Sequence, residues 1–307
     1  MAKSSKISAG EHSRRYSLNR AELEAPKPAG GLYLVATPIG NMGDITLRAL
    51  EVLAGCNVIA CEDSRVTHKL TDRYGITTPL MPYHDHNAEL ARPKLLARLA
   101  QGQAVALVSD AGTPLVSDPG YKLVRAASQA GHSVTALPGA SALLAGLTLS
   151  GLPSDRFFFE GFLPAKQAAR QKRIATLAGV PATLVLFESG QRLPAALADL
   201  AAGLGPRAAA VCRELTKLHE EVRRADLMTL ARDYAEGRET RGEIVIVVAP
   251  PLEQIGETDV DALLRGALAR VSLKDAVGEV ALATGQPRRA VYQRALELSK
   301  DRSDRTP

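Results

Sequence analysis

From Leu32 onward, short runs of β-branched and aliphatic residues alternate with helical segments, and that alternation is the mark of parallel βαβ construction. Strands are expected at 32–37, 57–61, 104–110 and 133–137, with helices near 44–54, 64–74, 87–101, 120–130 and 140–149. Three of these strands run into glycine and proline loops: Thr37-Pro38-Ile39-Gly40-Asn41, Ser109-Asp110-Ala111-Gly112-Thr113-Pro114 and Leu137-Pro138-Gly139-Ala140-Ser141. Any one of them reads equally well as a tight strand-to-helix turn. Three on neighbouring strands point instead to a ligand crevice beyond the carboxyl ends of an open α/β sheet, where backbone approaches the ligand closely.

A second α/β unit is expected from about residue 154, with strands at 157–162, 182–189, 208–215 and 242–250 and helices near 165–178, 192–203 and 226–236. The segment Ser150-Gly151-Leu152-Pro153-Ser154 reads as the hinge between the two. Beyond Pro250-Pro251 the pattern changes to three helical stretches, 259–270, 272–284 and 287–299, with Asp259 and Ser272 as N-caps and Pro287 in a first turn. The fold class is therefore α/β, in four parts: a disordered basic tail (1–30), an N-terminal α/β domain (31–150), a C-terminal α/β domain (151–251) and a helical appendage (252–307).

Charge separates the ends from the middle. Residues 1–30 hold six Lys/Arg against three Glu and residues 265–307 hold nine against five acids, while the rest is slightly acidic, for a formal net charge of +5. Basic ends fit a polyanionic partner, although solubility charge explains them equally well. The three cysteines, Cys56, Cys61 and Cys212, have no CxxC spacing, which argues against a disulfide framework or a cysteine zinc site and for a reducing, cytoplasmic setting. Residues 133–154 carry no charge, but Pro138, three glycines and six hydroxyl residues make the stretch too weakly apolar for a membrane span. The first twenty residues lack the apolar core of a secretory signal.

No GxGxxG follows the first strand and no Walker lysine is present, so the loops suit a nucleoside-bearing ligand held by backbone rather than by phosphate contacts. Glu62 and Asp63 stand where a dinucleotide-binding acid would, which keeps a dehydrogenase as a distant reading. His84-x-His86 with Asp85 lacks a third ligand at helical spacing, so no metal site is expected. Asp63 reads as a helix cap as readily as a catalytic group. Lys166, Arg170, Lys172 and Arg173 form either a solvated helix face or an anion contact.

The segments LYLVATPIGNMGDITLRAL, CEDSRVTHKL, YHDHN, VSDAGTPLVSDPG, LPGASALLAGLTLSGLP, FFFEGFLP, LFES, RELTKLHEE and GEIVIVV, in this order, resemble the ribosomal-RNA-modifying branch of the tetrapyrrole methylase superfamily. The resemblance covers about residues 31–250 and, more loosely, the helical tail. It implies an S-adenosylmethionine-dependent enzyme that methylates the ribose 2′-hydroxyl of a cytidine in the decoding region of 16S rRNA, with free RNA or the small ribosomal subunit as partner. It further implies a homodimer with the cofactor in a cleft between two α/β domains. By motif, the cofactor contacts would be Pro38, Gly40, Ala111, Gly112, Thr113, Ser141, Ala142 and Phe187. One departure stands out: Gly190-Gln191 follows Glu188-Ser189 where relatives often carry Pro-His.

A ribose hydroxyl is a poor nucleophile, so a carboxylate at a strand end is the natural helper, and Asp63, Asp110 and Glu188 qualify. Arg65, Arg213 and Lys217 would hold RNA phosphates. Two rival readings are a methyltransferase acting on tetrapyrroles or other small molecules, which needs a roomier apolar trough than 4% aromatic content suggests, and a non-catalytic RNA-binding assembly factor.

Overall fold

A computed structural model of the chain describes residues 13–237, 241–251, 257–284 and 286–303. The chain divides into two compact units at Pro251–Leu252.

The larger unit opens with a hairpin, β1 (Arg15–Leu18) and β2 (Ala21–Glu24), turned through Asn19 and Arg20, both at positive φ. This part of the expected disordered tail is ordered; residues 1–12 lie outside the described residues. The hairpin is held because Tyr16 is buried in the core of the first sheet and the Ser17 N–H donates to the Tyr74 carbonyl at 2.7 Å.

The first sheet comprises β3 (Gly31–Val35), β4 (Val58–Cys61), β5 (Leu80–Pro82), β6 (Ala104–Val108) and β7 (Val134–Leu137), all parallel, in the order β5-β4-β6-β3-β7. Helices α1 (Leu47–Gly55), α2 (Ser64–Arg73), α3 (Ala88–Ala100), α4 (Tyr121–Gln129) and α5 (Ala142–Ser150) link and follow them. Separate apolar clusters cover the two faces, so β6 is buried at every residue and reads as the unbroken run AVALV. The central pair β3 and β6 send their connections to opposite sides of the sheet, which creates a switch-point crevice at their carboxyl ends.

The second sheet comprises β8 (Phe157–Phe162), β9 (Thr183–Ser189), β10 (Ala208–Arg213), β11 (Glu221–Asp226) and β12 (Glu243–Val248), with α6 (Gln167–Leu177), α7 (Leu193–Leu204) and α8 (Leu227–Ala235). Its order is β11-β10-β12-β9-β8, and only β8 and β9 run parallel. The parallel pattern inferred for the first half therefore does not extend to the second. The hairpin from β10 to β11 reverses the strand direction, and α8 returns the chain to β12 in the same sense as β11, antiparallel to β10 and β9.

Helix α5 packs on this second sheet through Leu143 and Leu147, joining the two sheets in one apolar cluster with Ile39, Leu215 and Val245. Gly146 makes the approach close: a Cβ there would lie 2.6 Å from Val245 Cγ1. The expected hinge is pinned as well, since Gly151 ends α5 at φ +72° and Arg224 donates to the carbonyls of Leu149 and Ser150.

Behind the second sheet, Arg170 and Asp199 form a buried ion pair of 2.6 Å, and Gln171 also donates to Asp199 at 2.8 Å. Arg173 pairs with Glu160 at 2.6 Å. Half of the basic stretch singled out in the sequence is thus occupied within the fold, and Lys166 and Lys172 remain as exposed cations with no carboxylate partner among the described residues.

The second unit packs α9 (Glu257–Leu268), α10 (Leu273–Thr284) and α11 (Arg288–Ser303) around an aliphatic core that includes Leu264, Ala276, Val291 and Ala295. Ser272 caps α10, accepting from the Asp275 N–H at 3.3 Å and donating to the Asp275 carboxylate at 2.6 Å. Helix α9 begins at Glu257, ahead of the expected cap Asp259.

Candidate functional site

The carboxyl ends of β3 and β6 are tied by a two-way bridge in which the Thr37 and Gly112 N–H groups each donate to the other's carbonyl at 2.9 Å. Gly112 sits at φ +81°, and a Cβ there would press 3.3 Å from Ile39 Cγ2, so glycine is the residue this crossing admits. The third loop joins through Thr113, whose hydroxyl donates to the Ala140 carbonyl at 3.2 Å, and Ser141 then caps α5 by accepting from the Leu144 N–H. The three loops expected to converge do so.

They form one wall of a cavity of about 410 Å³, within the usual range for small-molecule sites. From the first sheet come Ile39, Glu62, Asp110, Ala111, Gly112, Thr113, Val116, Ser117, Asp118, Ser141 and Ala142. The facing wall is built by Phe162, Phe187, Glu188, Leu215 and residues 242–245. Phe187 is braced edge-on by Phe159 and Phe162, with ring centroids 4.9 and 5.8 Å away. Two of the expected cofactor contacts fall outside this lining. Pro38 and Gly40 flank Ile39, which lines it. A Cβ on Gly40 would lie 3.1 Å from the Leu215 carbonyl and closer still to the side chains of Thr216 and Lys217. Gly40 therefore allows the two walls to touch, and the Asn41 N–H donates to the Thr216 hydroxyl there at 3.1 Å.

The cavity is acidic. Among the described residues, five carboxylates line it, Glu62, Asp110, Asp118, Glu188 and Glu243, and neither lysine nor arginine does. Burial raises the carboxyl of Glu62 above the usual range, reinforced by the charges of Asp110 and Asp118. Burial raises Asp118 too. Glu188 is the most enclosed: its side chain is 1% exposed, Oε1 accepts from the Ser189 N–H at 2.8 Å, and Oε2 has no hydrogen-bond partner among the described residues. Desolvation raises its pKa, against the pull of the Ser189 N–H and the Arg192 charge.

Of the three carboxylates named from sequence, Asp110 and Glu188 line the cavity and Asp63 does not. Asp63 caps α2, accepting from the Arg65 N–H at 2.8 Å, and Arg65 also grips its carboxylate at 2.6 Å, which lowers its pKa to about 2. Such a carboxylate is a weak proton acceptor. Asp110 Oδ1 accepts from the Asp63 N–H at 2.9 Å, linking the ends of β6 and β4.

The three basic residues named for RNA separate in the same way. Arg65 is 87% exposed and offers its outer edge to solvent. Arg213 is paired with Glu221 at 3.3 Å, and Lys217 bridges Glu214 and Glu243 at 2.9 and 2.7 Å. Sequence reasoning missed Val116, Asp118, Phe162, Leu215 and Val245. Val116 and Asp118 carried a signal, since both lie in the VSDPG half of the second loop; Phe162, Leu215 and Val245 reach the cavity through tertiary packing. All three cysteines are buried free thiols, with Cys56 raised to about 12 and Cys212 to about 11 by desolvation.

An α/β fold of two lobes with a cleft at the switch point of its parallel sheet is the setting in which the comparisons fall. Residues 31–231 match the model of the Tetrapyrrole (Corrin/Porphyrin) Methylases, and the chain belongs to that family. Residues 254–299 match the RsmI C-terminal HTH domain. The chain is 51% identical over 288 residues to a Mesorhizobium japonicum protein named ribosomal RNA small subunit methyltransferase I, covering 93% of this chain and 98% of the relative. It is 53% identical over 269 residues to the Erythrobacter litoralis protein of the same name, covering 87% and 95%. Among solved structures, cobalt precorrin-4 methyltransferase shares the fold at a TM-score of 0.54 and 18% identity, over 71% of this chain and 94% of that one. Diphthine synthase does so at 0.56 and 18%, over 71% and 89%.

Proposed function

We propose that the chain is an S-adenosylmethionine-dependent methyltransferase acting on RNA of the small ribosomal subunit, with the ribose 2′-hydroxyl of a cytidine in the decoding region of 16S rRNA as acceptor. The observation that carries this reading is the likeness to relatives of that printed name over nearly the whole of both chains, helical unit included. The cleft supports the cofactor. A sulfonium is a cation, and a cavity walled, among the described residues, by carboxylates without a lysine or arginine suits it, while repelling the phosphates of a dinucleotide and the carboxylates of a tetrapyrrole. Ala111, Gly112, Thr113, Ser141 and Ala142 would present main chain and small side chains to the cofactor, and Phe187 an apolar face.

Bound S-adenosylmethionine supplies an activated methyl group, transferred by in-line displacement. Positioning and partial drying of the site therefore matter more than new charge. Glu188 is assigned the proton of the acceptor hydroxyl, because its Oε2 is free, its pKa is raised and it lines the cleft. Asp110 keeps the opposite wall negative and fixes the backbone at Asp63. Arg65, the exposed member of the three basic residues, would meet an RNA phosphate.

The test is transfer of labelled methyl from S-adenosylmethionine to purified small subunits and to free 16S rRNA, with ribose methylation mapped in cells that lack the protein. Label on the 2′-oxygen of one decoding-region cytidine, lost in those cells, is the expected result; label on a small molecule only, or none, would reject the reading. A homodimer and a cytoplasmic location accompany the proposal. Among the described residues no helix is long and apolar enough to cross a membrane.

A further inference from the structure

We infer that the three-helix unit carries a pocket for single-stranded RNA, in which Lys274, Arg288 and Arg289 receive backbone phosphates and Tyr292 stacks on a base. The inference rests on the proposal that the substrate is RNA and adds where, outside the cleft, the chain grips it.

A recess of about 310 Å³ opens between α10 and α11, lined by Lys274, Val277, Arg288, Arg289 and Tyr292. Three other cations of this unit face carboxylates: Arg294 grips Asp261 at 2.7 Å, Arg265 approaches the same carboxylate at 3.9 Å, and Arg270 meets Glu279 at 3.0 Å. Lys274, Arg288 and Arg289 are exposed, and among the described residues no carboxylate pairs with any of them.

Their placement also runs against helix electrostatics. Arg288 and Arg289 occupy the first turn of α11, which has no acidic residue, although the positive end of a helix favours carboxylates there. Two like charges at the positive end of α11, with Lys274 of α10 in the same recess, oppose folding, and an arrangement that breaks a local rule without internal compensation marks a functional position. A polyanion supplies the missing compensation.

The shape of the recess narrows the choice of polyanion. Gly278 leaves room for the Arg288 guanidinium to lie across α10, since a Cβ on that glycine would be 3.0 Å from Nη2. Val277 is buried beside it, and Tyr292, 45% exposed, offers a ring next to the cations. Cations flanking an exposed aromatic ring are the elements of single-strand recognition, in which phosphates meet the charges and a base stacks on the ring.

The test uses the full chain and a fluorescein-labelled single-stranded RNA of mixed sequence, titrated by anisotropy over a range of salt, with a poly-glutamate peptide in parallel. R288Q/R289Q is expected to weaken RNA binding about tenfold or more and to flatten the log–log salt dependence by about 1.4, at roughly 0.7 per phosphate contact on a single strand. K274Q flattens it by about half that, and Y292A weakens binding about tenfold with the slope unchanged. These positions are exposed, so circular dichroism and calorimetric S-adenosylmethionine binding should match the wild type. Wild-type affinity and slope in all three variants would overturn the inference, as would equal loss of peptide and RNA binding with no effect of Y292A. If these residues bind RNA but the wild type methylates none, the proposed function fails and the pocket stands. If methylation is seen and the variants bind and methylate normally, the pocket fails alone.

Discussion

Nε of Arg192 lies 3.2 Å from Oε1 of Glu188, four residues away across the turn from β9 into α7. The guanidinium and the Ser189 N–H both engage the same carboxylate oxygen, leaving Oε2 without a hydrogen-bond partner among the described residues. The two residues thus divide the carboxyl group into an anchored oxygen and a buried, unpartnered one.

E188Q keeps the shape and removes the base. Turnover should fall about a hundredfold, near the low end of what a positioned base contributes, with S-adenosylmethionine affinity nearly unchanged; single-turnover methylation and calorimetry check the two separately. Because burial raises the pKa, the acid limb of kcat/KM against pH should lie above the ordinary glutamate range, and R192A, which removes a cation, should move it higher still.

The same shift has a signature in stability. A carboxyl whose folded pKa exceeds its unfolded value binds its proton more tightly in the folded state, so ionising Glu188 opposes folding. As pH rises from the ordinary glutamate value through the raised one, the wild type should lose stability relative to E188Q. Urea unfolding of both proteins across that window is the measurement.

Asp199→Ala leaves the Arg170 guanidinium buried without its partner. A loss of about 3–5 kcal/mol is expected, and R170M/D199L should recover most of it because the pair's desolvation penalty disappears along with its attraction. Denaturant midpoints of the three proteins decide.

Gly146→Ala forces a methyl group against Val245 on the wall of the cleft. Overpacking of this kind costs roughly 1–3 kcal/mol, and here it should also weaken cofactor binding several-fold. Adding V245A should restore both, as read by thermal unfolding and calorimetry.

Arg65→Ala should reduce RNA affinity and flatten its salt dependence by about one phosphate contact, whereas Arg213→Ala should leave the slope alone, since Glu221 already engages that side chain. Anisotropy titrations at several salt concentrations distinguish the two.

The parallel sheet was legible because its strands are buried on both faces and read as unbroken aliphatic runs, β6 most plainly. The strand β11, EVRRAD, was not, because it lies at a sheet edge with no residue fully buried, and its charges hide the pattern. The hairpin of β1 and β2 was missed for a similar reason: AELE is exposed throughout, and only Tyr16 anchors the pair. In the cleft, the loops at Gly112 and Ser141 were visible as glycine-bearing strand ends. Val245 and Leu215 were invisible there, because a β-branched or aliphatic residue in an apolar run shows which sheet it belongs to and nothing of what the neighbouring lobe brings against it. The internal pairing of Arg213 and Lys217 was hidden too, because it depends on Glu221 and Glu243 meeting them in space.

The stitch between Asn41 and Thr216, set beside a glycine that lets the backbones touch, fixes the gauge of the groove at its rear. A groove of set width cannot favour substrate over product by clamping down, so the distinction falls to electrostatics. Under the proposed reaction the donor enters as a cation and leaves as a neutral thioether, and negatively charged walls hold the first more strongly than the second. Ejection of the spent molecule is then driven by the chemistry itself.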